Sequence, residues 1–161
     1  MSRSIIGLTF LSLCLSPALS VLTPENHCDN HFRYDTEDDG RTQIGIFTAP
    51  KLDTFNFRWK ATFEVKGSSA MFVTRLQTYP NKDLAVINLL NGEPAQAFLR
   101  FININTELPK LHSLFLNGNE LCSSPRYPFP KTSVTLNYHM FVNVKEGMNS
   151  TTETPIFEDN L

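Results

Sequence analysis

The sequence predicts a mostly all-β domain, an antiparallel immunoglobulin-like β-sandwich with one short helix and one disulfide. Three observations carry that prediction. Residues 52–65 alternate, with Phe55, Phe57, Trp59, Ala61, Phe63 and Val65 on one parity and Thr54, Asn56, Arg58, Lys60, Thr62 and Glu64 on the other. A period of two over such a length marks a strand with one buried face. Residues 108–122 place two arms around Asn117-Gly118, a dipeptide that accepts φ > 0 at both positions and so closes a two-residue hairpin. Similar short segments recur along the chain between turn residues, with little helical periodicity, as in a sandwich.

The N-terminus reads as a secretion signal over residues 1–20. Arg3 supplies a positive start, Ile5 to Leu15 an uncharged apolar run, and Ala18 and Ser20 the small residues that precede cleavage. The run is shorter than the 18 or so apolar residues needed to span a bilayer, and Ser12, Ser16 and Pro17 interrupt it. The expected product is therefore extracellular, about 141 residues long and of a size for one domain. The 161-residue chain carries a net charge of −2, and loss of Arg3 makes it about −3. So weak a balance argues against nucleic acid or an anionic membrane as partner.

Of the three cysteines, Cys14 falls within the signal, leaving Cys28 and Cys122 in an oxidising compartment. Their pairing into one disulfide is the expectation. Two free thiols or an intermolecular bridge are the alternatives. The bridge would close a loop of roughly 95 residues, for which chain entropy gives about 4–5 kcal/mol.

In chain order, residues 21–31 form a polar arm, 32–34 a short strand, and 35–41 an acidic turn closed by Gly40. A second strand over 42–49 stops at Pro50. The long alternating strand over 52–65 follows and places Trp59 in the core, a ligand platform being the lesser alternative. Residues 70–78 form a further strand candidate. Asn81 then caps a helix over 82–90, on which Leu84, Ile87 and Leu90 are spaced for one apolar face, with Gly92 just past its end. A strand over 84–90 is the alternative. Residues 95–104 alternate again. Pro109 cannot donate to a ladder and so belongs at the start of a strand or just before one. The sandwich is expected to occupy residues 21–125. Three prolines within 123–130 read as a linker.

After them, Val134, Leu136, Tyr138, Met140, Val142 and Val144 share one parity. Residues 126–144 thus read as a Pro-rich linker plus an extra strand, which either docks on the sandwich or serves a partner sheet, the former being preferred. Residues 145–161 are polar and acidic, composed as a disordered tail. Within them Asn149-Ser150-Thr151 is an N-glycosylation sequon.

No motif for catalysis stands out. There is no Gly-x-Ser-x-Gly, no phosphate loop and no His-Glu-x-x-His, and His27, His31, His112 and His139 lie in no nucleophile context. His27 and His31 flank Cys28 at a metal-like spacing, but zinc needs three or four ligands. The cluster Asp35, Glu37, Asp38 and Asp39 reads as a solvated loop, with calcium as the lesser alternative. Neither catalytic residues, nor metal, nor any cofactor is expected.

Certain residues, taken in order, resemble a known family. Cys28 precedes Phe32-Arg33-Tyr34, then Gly40-Arg41, Gly45-Ile46 and the long alternating strand. Asn91-Gly92-Glu93-Pro94, Phe101-Ile102, Leu108-Pro109-Lys110-Leu111, Asn117-Gly118 and Leu121-Cys122 follow. This set, over about residues 27–125, is similar to the N-terminal domain of the insect gastrulation-defective serine proteases. In that family the domain precedes a linker and a trypsin-like protease domain, and the proteases act in extracellular cascades. The present sequence has no Ala-Ala-His-Cys or Gly-Asp-Ser-Gly-Gly segment. The resemblance therefore transfers a structural set, Cys28, Cys122, Pro109, Asn117 and Gly118, and no catalytic residue. It implies a secreted, non-catalytic interaction module whose partner is a serine protease or zymogen. The high Phe content prompts the alternative of a small carrier for an apolar ligand.

Overall fold

The computed structural model describes residues 21–143 and 156–158. The signal segment, Asn149 and most of the acidic tail lie outside them. Two antiparallel sheets face each other. The first takes β1 (Phe32–Glu37), β2 (Thr42–Thr48), β5 (Gln96–Arg100) and β4 (Gln77–Thr78) in the order β1-β2-β5-β4. The second takes β7 (Asn119–Ser123), β6 (Lys110–Leu116), β3 (Asn56–Lys66), β8 (Lys131–Asn143) and β9 (Ile156–Glu158) in the order β7-β6-β3-β8-β9. One helix, α1 (Lys82–Leu90), follows β4. Among the described residues no helix is long and apolar enough to cross a membrane.

The core lies between the sheets and is aromatic. Phe32 and Phe47 from the first sheet meet Phe63 from the second at centroid distances of 5.7 and 6.2 Å, and Phe47 lies 6.1 Å from Trp59. This packing fixes Gly45, because a Cβ there would stand 2.7 Å from the Phe32 ring. On β3 the alternation places Phe57, Trp59, Ala61 and Phe63 inward as expected. The strand starts at Asn56, not at residue 52, and Phe55 before it is exposed.

The hairpin forms at Asn117-Gly118, where φ is +52° and +84° and Leu116 pairs with Asn119. Asn117 also ties the turn to β3: its Oδ1 accepts from the Arg58 N–H and its Nδ2 donates to the Asn56 carbonyl. Pro109 sits immediately before β6, where no ladder donor is required. Cys28, on the arm before β1, is bonded to Cys122 on β7, with the Cα atoms 5.5 Å apart. The bond fastens the start of the first sheet to the edge of the second.

Five expectations need correction. The candidate strand over 70–78 is mostly loop, with a bridge at Val73 and a strand only at Gln77–Thr78. The helix forms with Asn81 as its N-cap, its side chain accepting from the Leu84 N–H. Its faces, however, are the reverse of those expected. Ala85 and Val86 are buried, whereas Leu84, Ile87 and Leu90 are exposed. Ala85 and Val86, with Leu89 beside them, bring the helix against the body, leaving Leu84, Ile87 and Leu90 outside.

The third correction concerns residues 124–130, which do not decouple β8. They form a strap bonded to the outer side of the second sheet, with Ser124 N–H donating to the His112 carbonyl and Tyr127 N–H to Glu64. Fourth, the acidic turn is narrower than 35–41: β1 runs to Glu37 and only Asp38, Asp39 and Gly40 have positive φ in the turn. Finally, within the acidic tail Ile156–Glu158 pairs with Phe141–Asn143 of β8. β8 itself pairs with β3 from Lys131 to Phe141, its inward parity facing the core through Val134, Leu136, Tyr138 and Met140.

Candidate functional site

Two charged regions flank β3, and they differ in composition. At the end of the strand, Glu64 is fully buried, although its parity is the polar one. The strap covers it. Lys131 Nζ donates to Glu64 Oε1 at 2.6 Å, Tyr127 N–H donates to Oε2 at 2.9 Å, and Arg126 lies 3.6 Å away. A second carboxylate, Glu107, accepts from Lys66 at 2.7 Å and from the Tyr127 hydroxyl at 2.8 Å. Lys110 donates to the Pro125 carbonyl and lies 3.7 Å from the Tyr127 ring centroid.

Burial would raise both carboxyls, but the hydrogen bonds and positive charges of Lys131 and Lys66 prevail and hold them below the usual carboxylate range. Desolvation lowers Lys110 and raises Tyr127, which in addition donates to Glu107. Every acid here has its cation, and the cluster is closed.

Toward the start of β3 lies a cleft of about 1160 Å³. β3 contributes Arg58, Trp59 and Lys60, and β8 contributes Leu136, Asn137, Tyr138 and His139. The segment through β4 into α1 contributes residues 75–78 and 80–82, β5 contributes Phe98 and Arg100, and the β6–β7 hairpin contributes Phe115 and Gly118. Among the described residues five basic side chains line it, from Arg58, Lys60, Arg75, Lys82 and Arg100, and no Asp or Glu does. That composition is unusual in a chain of net charge −2. Arg100 is held by Glu37 at 2.8 Å and lies over Phe98. Lys60 lies 5.8 Å from the Phe115 ring centroid. Among the described residues Arg58 and Arg75 make no ion pair, and both are exposed.

The floor is part apolar and part polar. Thr78 Oγ1 and the Tyr138 hydroxyl are 2.6 Å apart and join the two sheets. Trp59 is 2 % exposed, and its indole N–H finds no acceptor among the described residues. An indole nitrogen only donates, and leaving it unpaired costs about 1–3 kcal/mol.

The residues singled out from sequence fall differently. Gly118 alone of them lines the cleft, with Asn117 beside it; Cys28, Cys122 and Pro109 belong to the scaffold, and Asn149 lies outside the described residues. Among the described residues no group of three His, Cys, Asp or Glu is placed to hold a metal. His31 and His112 contact backbone oxygens, His139 contacts Asn56, and His27 lies beside Glu25. Sequence reasoning missed Arg58, Lys60, Arg75 and Arg100 and preferred Trp59 as core to Trp59 as a ligand platform; it is buried and also lines the cleft. The one local signal was an Arg and a Lys on the outward parity around the single tryptophan.

The family model for the serine protease gd N-terminus matches residues 26–132, from the disulfide arm to the first residues of β8. No curated protein and no solved structure matches the chain.

Proposed function

Since the chain belongs to the serine protease gd N-terminus family, we propose that it is a secreted, non-catalytic interaction module of an extracellular serine protease cascade, binding a protease or zymogen. The observation that carries this reading is the cleft, a recess rich in donors on a disulfide-stapled scaffold. Rigid sandwiches present recognition surfaces of this kind. The matched region is also the N-terminal part of the protease family, not its catalytic part.

Pull-down from extracellular fluid with the recombinant protein should recover a serine protease or its zymogen. Recovery of no cascade component overturns the reading. The second reading, a carrier for an apolar ligand, is favoured by the size of the cleft and by Leu76, Phe98 and Leu136 in its lining. A lipid seen by native mass spectrometry of the purified protein would establish it.

A further inference from the structure

We infer that the Arg126–Tyr127 bond in the strap is a processing site for a trypsin-like serine protease, and that the buried Glu64 receives the α-amino group that the cut creates. The inference deepens the reading above and rests on it only for the biological source of the protease. Sequence and exposure give the first argument. A trypsin-like specificity pocket carries a carboxylate that selects a basic side chain. Among the described residues, the basic ones outside the strands and the helix are Arg41, Lys51, Arg75 and Arg126. The first three lie between Cys28 and Cys122, so a cut there leaves the pieces bonded. Arg126 lies beyond both cysteines, and its side chain is 63 % exposed. Pro125, Pro128 and Phe129 around it are exposed as well. A proline holds the residue before it in extended backbone, and the strap has three, Pro125, Pro128 and Pro130. Extended backbone is the form in which a serine protease takes its substrate. None of residues 125–130 belongs to the core, so lifting the strap locally costs polar contacts and not core packing.

The second argument is what waits on the far side of the bond. The Tyr127 N–H already donates to Glu64 Oε2 at 2.9 Å, and Glu64 is fully buried. Hydrolysis breaks the bond between the Arg126 carbonyl carbon and the Tyr127 nitrogen. The oxygen of the attacking water enters the new Arg126 carboxylate. Both protons of that water pass to the Tyr127 nitrogen, which becomes an ammonium. The same atom thus changes from a neutral donor to a charged one in front of the same carboxylate, and a charge-assisted hydrogen bond is the stronger kind.

The third argument is that each side of the bond is fastened separately. Upstream, the Ser124 N–H donates to the His112 carbonyl and Lys110 to the Pro125 carbonyl. Downstream, the Tyr127 hydroxyl donates to Glu107 and the Gly67 N–H to the Pro130 carbonyl. Both new ends therefore keep their anchors after the cut.

The folded recombinant chain is digested with trypsin at a limiting ratio. A denaturing gel run without reductant should release a fragment whose first residue, by mass spectrometry, is Tyr127, and gel filtration without denaturant should keep the two pieces together. Arg126→Gln should abolish the fragment and Arg126→Lys should retain it; the side chain is exposed, and thermal midpoints verify folding. Acetic anhydride at neutral pH should label the Tyr127 α-amine of the folded, cut protein roughly tenfold more slowly than after unfolding, because the group reacts only on local opening. In Glu64→Gln the labelling should approach the unfolded rate; the wild-type comparison stands by itself if that variant melts early.

A strap left intact overturns the inference, as does cutting at Arg41, Lys51 or Arg75 ahead of Arg126, seen as fragments that separate only on reduction. Equal labelling of the folded and unfolded cut protein overturns the role of Glu64. If the pull-down recovers a protease and trypsin spares the strap, the processing site falls while the interaction role stands. If the strap is cut as described and no cascade component is ever recovered, the site stands and the cascade role falls.

Discussion

The two ends of β3 carry the same kind of charge in opposite circumstances. At Glu64 and Lys66 the basic side chains Lys66, Lys131 and Arg126 are met by the chain's own carboxylates, and Lys110 by the Pro125 carbonyl and the Tyr127 ring of the strap over residues 124–130. At the cleft, Arg100 is held by Glu37, whereas Arg58 and Arg75 make no ion pair among the described residues. The first end is complete within the molecule. A cation count would rank the two ends alike; the difference lies in where the acids are.

Substitutions should separate the two ends clearly. The largest effect belongs to Glu64→Ala, which leaves Lys131 buried without its partner. Loss of one member of a buried pair costs about 3–5 kcal/mol, to be read as an early midpoint in chemical denaturation. A loss under 1 kcal/mol would mean that the strap end is no more structural than the cleft end.

Next comes Leu136→Asp on β8, which sets a charge against the core and should cost about 2–3 kcal/mol. Asn137→Asp, one residue on and exposed at the cleft, should stay within about 0.5 kcal/mol of wild type. Equal thermal midpoints for this pair would contradict the inward parity of β8.

A third effect is graded with pH. The Glu64 and Glu107 carboxyls sit below their ordinary value of 4.5 in the folded protein. The unfolded chain therefore takes up these protons first as pH falls. Their stabilisation is fully present above the unfolded value and is lost progressively below it. Midpoints measured from pH 6 downward should decline below about pH 4.5, and less steeply in Glu64→Gln measured against its own neutral-pH midpoint.

The smallest effect is the most diagnostic. Arg58→Glu and Arg75→Glu should each shift stability by no more than about 0.5 kcal/mol, because neither side chain has an ion pair to lose. A large destabilisation would place them with the strap end after all.

Sequence alone reveals what is encoded locally. The parity of β3 and β8 could be read because one buried face imposes a period of two, and the hairpin because Asn117 and Gly118 suit its φ values. The helix over 82–90 could be read from its cap. Its orientation could not, since Leu84, Ile87 and Leu90 are spaced as a core face would be and only the tertiary packing of Ala85 and Val86 turns them outward. Glu64 looked like a solvent-facing residue because the strap that buries it arrives some sixty residues later. The cleft was invisible for the same reason: Arg58, Arg75, Arg100 and Tyr138 are neighbours only once both sheets have formed.

The disulfide has a topological consequence for the second sheet. Residues 28–122 form a covalently closed ring that contains β1 to β6, α1 and nearly all of β7. β8 lies outside that ring, although it pairs with β3 along almost the whole strand. One side of β3 is thus covered by β6 from within the ring, the other by a strand joined to it through the strap alone. Cutting the strap would leave the ring intact and β8 held only by non-covalent contacts. If it departed, the backbone donors and acceptors along that flank of β3 would be bare, a template for the strand of another chain.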